Sequence, residues 1–186
     1  MGFSLEAQPY VIPTVHARVG EHLFLHGSVA SRMLGALIHT TPVCVTVTLL
    51  DGLVLARSGF NHSMNYRSVV ILGTATEVSN EGQKRAALDA LVNRVLPGRA
   101  AEVRAANPQE LNATSVLRLP IAEASAKIRS GPPHDDEEDC ARGCWAGVLP
   151  LRLTALPPEP DPRLPPGIAP PESLVRWSRG AKPTGS

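Results

Sequence analysis

The stretch "PVCVTVTLLDGLVLARSGF", Pro42 to Phe60, limits what this chain can fold into more than any other part of it. Val43 to Leu50 and Leu53 to Ser58 are rich in β-branched and apolar residues. Asp51-Gly52 between them is a dipeptide that accepts positive φ in a tight turn. The pattern predicts a β-hairpin. Two strands are marginal in water, so the rest of the chain must supply others to pack with them.

It does. "QPYVIPTVHARVGEHLFLHGS" predicts a second hairpin with arms Tyr10 to Ala17 and His22 to His26, broken at Val19-Gly20-Glu21. Leu23 and Leu25 fall on one face of its second arm, and His22, Phe24 and His26 on the other. After Gly27 the apolar spacing becomes helical through Val29, Met33, Leu34, Leu37 and Ile38. This predicts a helix from Val29 to His39 with Ser28 as its N-cap and Thr41-Pro42 as its stop. Tyr66 to Val78 reads as a long strand in which Gly73 marks a bulge or bend. Asn80 with Gln83 caps a helix over Glu81 to Leu96, closed by Pro97-Gly98, with Ala87, Leu88, Leu91, Val92 and Val95 as its stripe. "RAAEVRAA" and "PQELNAT" read as short helices. Thr114 to Ile121 and Trp145 to Leu156 read as strands. The expected fold is mainly β with accessory helices, a small and mostly antiparallel barrel that holds ligands at rims and seams.

Length and composition set the organisation. With 186 residues, 43% of them hydrophobic, the chain suits one cored domain, placed at residues 1–156. Residues 157–186 form a proline-rich tail, since eight of the chain's 18 prolines lie between Pro157 and Pro171 and cannot sustain a ladder of backbone hydrogen bonds. Trp177 either docks that tail or is an ordinary exposed terminal aromatic. The 18 Lys and Arg nearly cancel the 17 Asp and Glu, so no global field recruits nucleic acid or an anionic membrane. No apolar run approaches the roughly 18 to 20 residues of a membrane span. Three cysteines, Cys44, Cys140 and Cys144, make no even disulfide set, and the default setting is cytoplasmic.

Two segments carry the polar chemistry. "HGSVASRM" runs from a strand through glycine into a helix, where free amides, the Ser28 and Ser31 hydroxyls and the Arg32 guanidinium suit an anion such as phosphate. The plainer reading makes Ser28 a cap and leaves Arg32 in solvent. "FNHSMNYRSV" places Asn61, His62, Asn65, Tyr66, Arg67 and Ser68 between strand-like flanks, and turn chemistry alone would also explain it. "HDDEEDCARGC" mixes hard carboxylates with soft thiolates and lacks zinc-like ligand pairs, so it reads as a solvated acidic loop with no metal assigned. No histidine has a carboxylate partner at a telling spacing, and Ser63 lies in no nucleophile elbow. No catalytic acid, base or nucleophile is nominated.

Five segments in order, "QPYVIPT", "LFLHGSVASRML", "PVCVTVTLLDGLVLARSGFNHSMNYRSVVILG", "EASAKIRSGPP" and "WAGVLPL", resemble the flavin-binding relatives of pyridoxamine 5'-phosphate oxidase. The nearest branch in wording is the flavin-nucleotide-binding group similar to nitroimidazole reductases, and the likeness runs from about Gly2 to Pro162. It implies a split β-barrel that forms a homodimer with FMN at the subunit seam. Carried onto this chain, Val11, Ile12, Pro13 and Thr14 line the flavin ring. His26, Gly27, Ser28, Ser31 and Arg32 hold the phosphate. Asn65, Tyr66, Arg67 and Ser68 contact ring or phosphate, and Trp145 faces the cofactor. A flavin needs an apolar slot, donors that stabilise its reduced form and a cationic phosphate clamp, which these residue types supply.

The expected activity is that of an FMN-dependent oxidoreductase taking electrons from NADH or NADPH to a small acceptor; the alternative is a non-catalytic flavin protein for storage or sensing. Two departures from the family stand out. "MGFSLEAQPYV" occupies the place of the first barrel strand, so the usual N-terminal helix is missing: either the start lies upstream of Met1 or the chain has been shortened. The C-terminal arginine and histidine pattern that holds the oxidase's pyridoxal product is absent too, which argues against pyridoxamine oxidation.

Overall fold

The structure, a computed structural model, describes residues 1–31, 34, 35, 37, 41–175 and 177. Its contacts divide the chain into two units. The first takes the described residues of Met1–Val43, Gly73–Ala122 and the chain from Thr154 onward, and the second takes Cys44–Leu72 and Glu123–Leu153.

In the first unit, β1 (Gly2–Leu5) and β2 (Gln8–Val11) form an antiparallel hairpin closed by a two-residue turn. Glu6 and Ala7 both adopt positive φ, 49° and 65°, the turn that matches the twist of a hairpin. Phe3 pairs with Tyr10 across it and stacks on its ring at 5.3 Å. The expected arm Tyr10 to Ala17 is therefore two strands. Ile12 to Val15 breaks it, because Pro13 brings no amide donor and β3 (His16–Val19) pairs instead with β4 (His22–Ser28). A left-handed backbone costs an alanine about 1 kcal/mol that glycine avoids. Ala7→Gly is expected to raise Tm by about 2–4 °C in thermal unfolding, and an unchanged Tm would remove this account of the turn.

A four-stranded antiparallel sheet, β3-β4-β8-β7, is the frame of this unit, with β7 at Thr76–Glu77 and β8 at Thr114–Pro120. The alternation read in β4 is present: Leu23 and Leu25 are buried opposite Leu119 and Leu117. His22, Phe24 and His26 take the other face. Helix α1 (Glu81–Val95) packs on that face, laying Ala87 against Val78, Val116 and Phe24. The Asn80 side chain accepts from the Gln83 amide at 3.0 Å, as the cap pattern predicts. Val95, the last residue of the expected stripe, faces solvent. Helix α2 (Pro108–Ala113) follows, opened by a capping box of Asn107 and Glu110. Arg104, with the Asn107 amide, pulls the Glu110 pKa down to about 2. From Thr154 the chain runs exposed and without strands to Pro170, and Trp177 is half-buried.

The helix expected at Val29 to His39 lies largely outside the described residues. Leu34 and Leu37 are buried, and Ser31, not Ser28, takes the cap position: its hydroxyl accepts from the Leu34 amide and its carbonyl from the Gly35 amide. Ser28 instead closes a turn through its carbonyl to the Ser31 amide.

In the second unit the expected hairpin at Asp51-Gly52 is not formed. One strand, β5 (Pro42–Leu55), runs straight through the dipeptide. A Cβ on Gly52 would meet the Leu149 carbonyl oxygen and Val148 Cγ1 at 3.1 Å, so the glycine serves the close approach of β10 (Gly147–Pro150), not a turn. β5 also neighbours β6 (Ser63–Thr74), which pairs antiparallel with β9 (Glu123–Arg129), a strand the sequence pattern does not announce. The strand expected over Tyr66 to Val78 is interrupted at Ala75, beyond which β7 pairs with β8. Gly73 is a packing position, since a Cβ there would lie 3.1 Å from Leu119 Cδ1. The last expected strand shrinks to β10, leaving Trp145 outside it.

Candidate functional site

The residues named from sequence fall into two groups, one in each unit. In the first, Val11 is 81% exposed, and Ile12 exchanges both backbone hydrogen bonds with Met1 at 2.9 Å. Pro13 is exposed and Thr14 half-buried. His26, Gly27 and Ser28 end β4, opposite Val116, Ser115 and Thr114. A Cβ on Gly27 would fall 2.7 Å from Leu34 Cδ1, so any side chain here would have to displace that of Leu34. The Ser28 hydroxyl accepts from the Ala30 amide at 3.2 Å. Arg32 lies outside the described residues.

In the second group, Asn65 is 8% exposed and fully engaged: its amide donates to the Gly131 carbonyl at 3.1 Å, and its oxygen accepts from Arg129 Nη1 at 2.7 Å. It fixes the turn after β9, where Gly131 takes φ of 101°. Arg67 grips Asp51 with a two-pronged fork, Nε to Oδ2 at 2.9 Å and Nη2 to Oδ1 at 2.8 Å. These hydrogen bonds hold the Asp51 carboxyl below its usual pKa and raise that of Arg67. The Ser68 and Thr48 hydroxyls bond to each other at 3.0 Å. Tyr66 is half-buried opposite Arg129, and Trp145 is 69% exposed with its ring over Gly147.

Sequence reasoning missed Asp135, whose side chain is 1% exposed. Its carboxylate accepts from the Arg57 amide at 2.9 and 3.1 Å, the Ser58 amide at 3.4 Å and Arg57 Nη1 at 3.1 Å. Burial raises its pKa, and these donors outweigh burial and hold it below the ordinary carboxylate range. The acidic segment is thus not wholly a solvated loop. Asp135 locks the chain just ahead of the single turn Gly59–Asn61 and of His62.

His62 Nδ1 lies 2.9 Å from the Ser58 carbonyl oxygen. A carbonyl can only accept, so Nδ1 carries a proton and donates it, and among the described residues no hydrogen bond engages Nε2. Phe60, 95% exposed, and Met64, also exposed, flank it in sequence. His16 differs: burial, with Arg94 adding to it, lowers its pKa and favours the neutral ring. No group of three or more His, Cys, Asp or Glu side chains among the described residues is arranged to hold a metal ion.

Antiparallel sheets with few helices make this a mainly β protein, and comparison with known proteins gives its family. The family model described as pyridoxamine 5'-phosphate oxidase matches residues 1–128. This protein belongs to that family, and its fold is of the split-barrel class expected from the sequence. A flavocytochrome of Azotobacter vinelandii is 46% identical, with a TM-score of 0.89, over 96% of this chain and 83% of its own. An FAD and heme binding protein of Mycobacterium smegmatis is 41% identical, with a TM-score of 0.89, over 94% of this chain and 85% of its own. A Bacteroides thetaiotaomicron protein named for 5-nitroimidazole antibiotic resistance shares the fold at 22% identity and a TM-score of 0.56, over 67% of this chain and 72% of its own. No curated protein matches the chain. No described helix is long and apolar enough to cross a membrane.

Proposed function

We propose that this protein binds a flavin and acts as an oxidoreductase, taking electrons from NADH or NADPH to a small acceptor. The observation that carries the reading is the pair of relatives at 46% and 41% identity, alike over nearly the whole chain and named for flavin chemistry. The residues put forward to hold the flavin are Val11 to Thr14, His26 to Ser28, Ser31, Arg32, Asn65 to Ser68 and Trp145. Exposed Val11 and Trp145 offer apolar surface that no core claims. Asn65 and Arg67 are already paired, so they act by fixing Gly131 and Asp51 in place, while Tyr66 is free to touch the guest. When bound, a flavin supplies the electron transfer itself, and the chain binds, orients and shields it. FMN follows from the family resemblance, whereas the Mycobacterium relative's name carries FAD; the mass of the extracted cofactor separates them.

A homodimer is part of the proposal. Leu49, Val69 and the 71% exposed Ile128 stand on the strand face that carries the Asp51–Arg67 pair, an apolar patch suited to a second copy. Light scattering reads its mass. The cytoplasm is the setting proposed, where the three free cysteines stay reduced.

The test is a visible spectrum of the purified protein, followed by NADH or NADPH without oxygen. Yellow protein bleached by the nucleotide is expected. Yellow protein that never bleaches would replace the enzyme with a storage or sensing protein. Colourless protein that FMN and FAD both fail to reconstitute would overturn flavin binding.

A haem as second cofactor is favoured by the same two names and by one local observation. His62, with Nδ1 on a backbone carbonyl, would be the residue to hold the haem iron through Nε2, beside exposed Phe60 and Met64. His62→Ala is expected to abolish the Soret band of haem-reconstituted protein and keep the flavin. An unchanged Soret band would remove His62 from that role.

A further inference from the structure

The first unit holds a cavity of about 280 Å³ between the start of α1 and the outer face of the β3-β4-β8-β7 sheet. None of its lining residues is among those put forward for the flavin. Its floor is apolar, made by Phe24, Val78 and Ala87, which belong to one packed cluster. Its polar groups are His22, Gln83 and Arg118. Strand register brings two of them together: Arg118 pairs directly with Phe24 across β4 and β8, and His22 lies two residues along the same face, while Gln83 comes from the first turn of α1. The His22 and Phe24 rings form one wall, with centroids 6.4 Å apart.

These three polar side chains are unspent. Arg67, Arg57, Arg85 and Arg104 each hold a carboxylate. Among the described residues nothing takes the Arg118 guanidinium, and the Gln83 side-chain amide and the His22 ring have no hydrogen-bond partner. One guanidinium fork with two further donor groups above an apolar floor matches a single carboxylate on an apolar body. A phosphate would leave the floor uncovered. The volume falls just below the roughly 300–1,000 Å³ of ordinary ligand pockets, which sets a small guest and excludes a dinucleotide.

We propose that this cavity binds a small monocarboxylate with an aromatic or short aliphatic body, its carboxylate on Arg118 and its apolar part on Phe24. The site stands independently of the flavin reading. The test is isothermal titration calorimetry on the full chain with benzoate, hexanoate and the uncharged analogue benzamide. At least one carboxylate is expected to bind with Kd of about 1 mM or tighter, and benzamide about tenfold more weakly than benzoate. Arg118→Gln is expected to weaken the carboxylate about tenfold with Tm unchanged, while Arg152→Gln, at an exposed arginine elsewhere, leaves it alone. Absence of binding by both carboxylates up to about 10 mM overturns the proposal. So does binding that Arg118→Gln leaves unchanged.

Discussion

Asp135→Ala is expected to lower Tm by about 5–10 °C and to expose the chain between Arg57 and His62 to protease. The alanine removes one carboxylate and strands three donors: two backbone amides and a guanidinium. An orphaned buried donor costs more than the hydrogen bond it lost, and an unpaired buried charge costs more again. Arg57 starts from a weak position, since its Nε is buried without a partner. Asp135→Asn keeps the shape, but its amide nitrogen must face a donor, so it is expected to fall between wild type and alanine. The carboxylate pKa is depressed in the fold, so its contribution is present above the unfolded carboxylate pKa and lost as pH falls through the folded one. The gap between wild type and Asp135→Asn should therefore narrow in acid. Adding Arg57→Met to Asp135→Ala should restore part of the loss, because the stranded charge goes with it. A wild-type Tm for Asp135→Ala would show that the lock carries no stability.

Leu117→Ala is expected to cost about 3–4 kcal/mol, read as a lower midpoint in urea unfolding at unchanged slope. Leu117 is fully buried at the centre of β8, with buried Leu25 opposite it. Its neighbours Val116 and Leu119 are equally inaccessible, so the sheet cannot collapse readily into the space left. Leu153→Ala, on an exposed side chain, should cost well under about 1 kcal/mol. Equal losses at the two positions would contradict the burial described for β8.

What could be read from the sequence was what local chemistry determines. Asn80 with Gln83 marks the start of α1 because a cap is decided within one turn. The face alternation of β4 is visible because one side is buried and the other is not. Asp51-Gly52 misled because the same dipeptide suits a turn or a place where another backbone passes close, and only the pairing of β10 decides between them. β9 was invisible because nearly every residue of "EASAKIR" is exposed, leaving no alternation to see. Nothing in "HDDEEDC" says which carboxylate is taken inside; the donors that choose Asp135 lie 77 and 78 residues away in sequence. Arg67 was legible as a polar residue in a strand and Asn65 as one in the polar stretch just before it, but their partners Asp51 and Arg129 come from the sheet.

Gly52 has a further consequence as an index mark. In the pairing of β10 on β5, Pro150 stands opposite Gly52 and Leu149 opposite Leu53. A slip by one residue would bring a side-chain-bearing residue under the Leu149 carbonyl and turn Val148 and Leu149 to opposite faces. The one position of β5 without a Cβ therefore tells β10 where to stop, and a chain with alanine there would lose its means of rejecting the wrong alignment before it lost any great part of its stability.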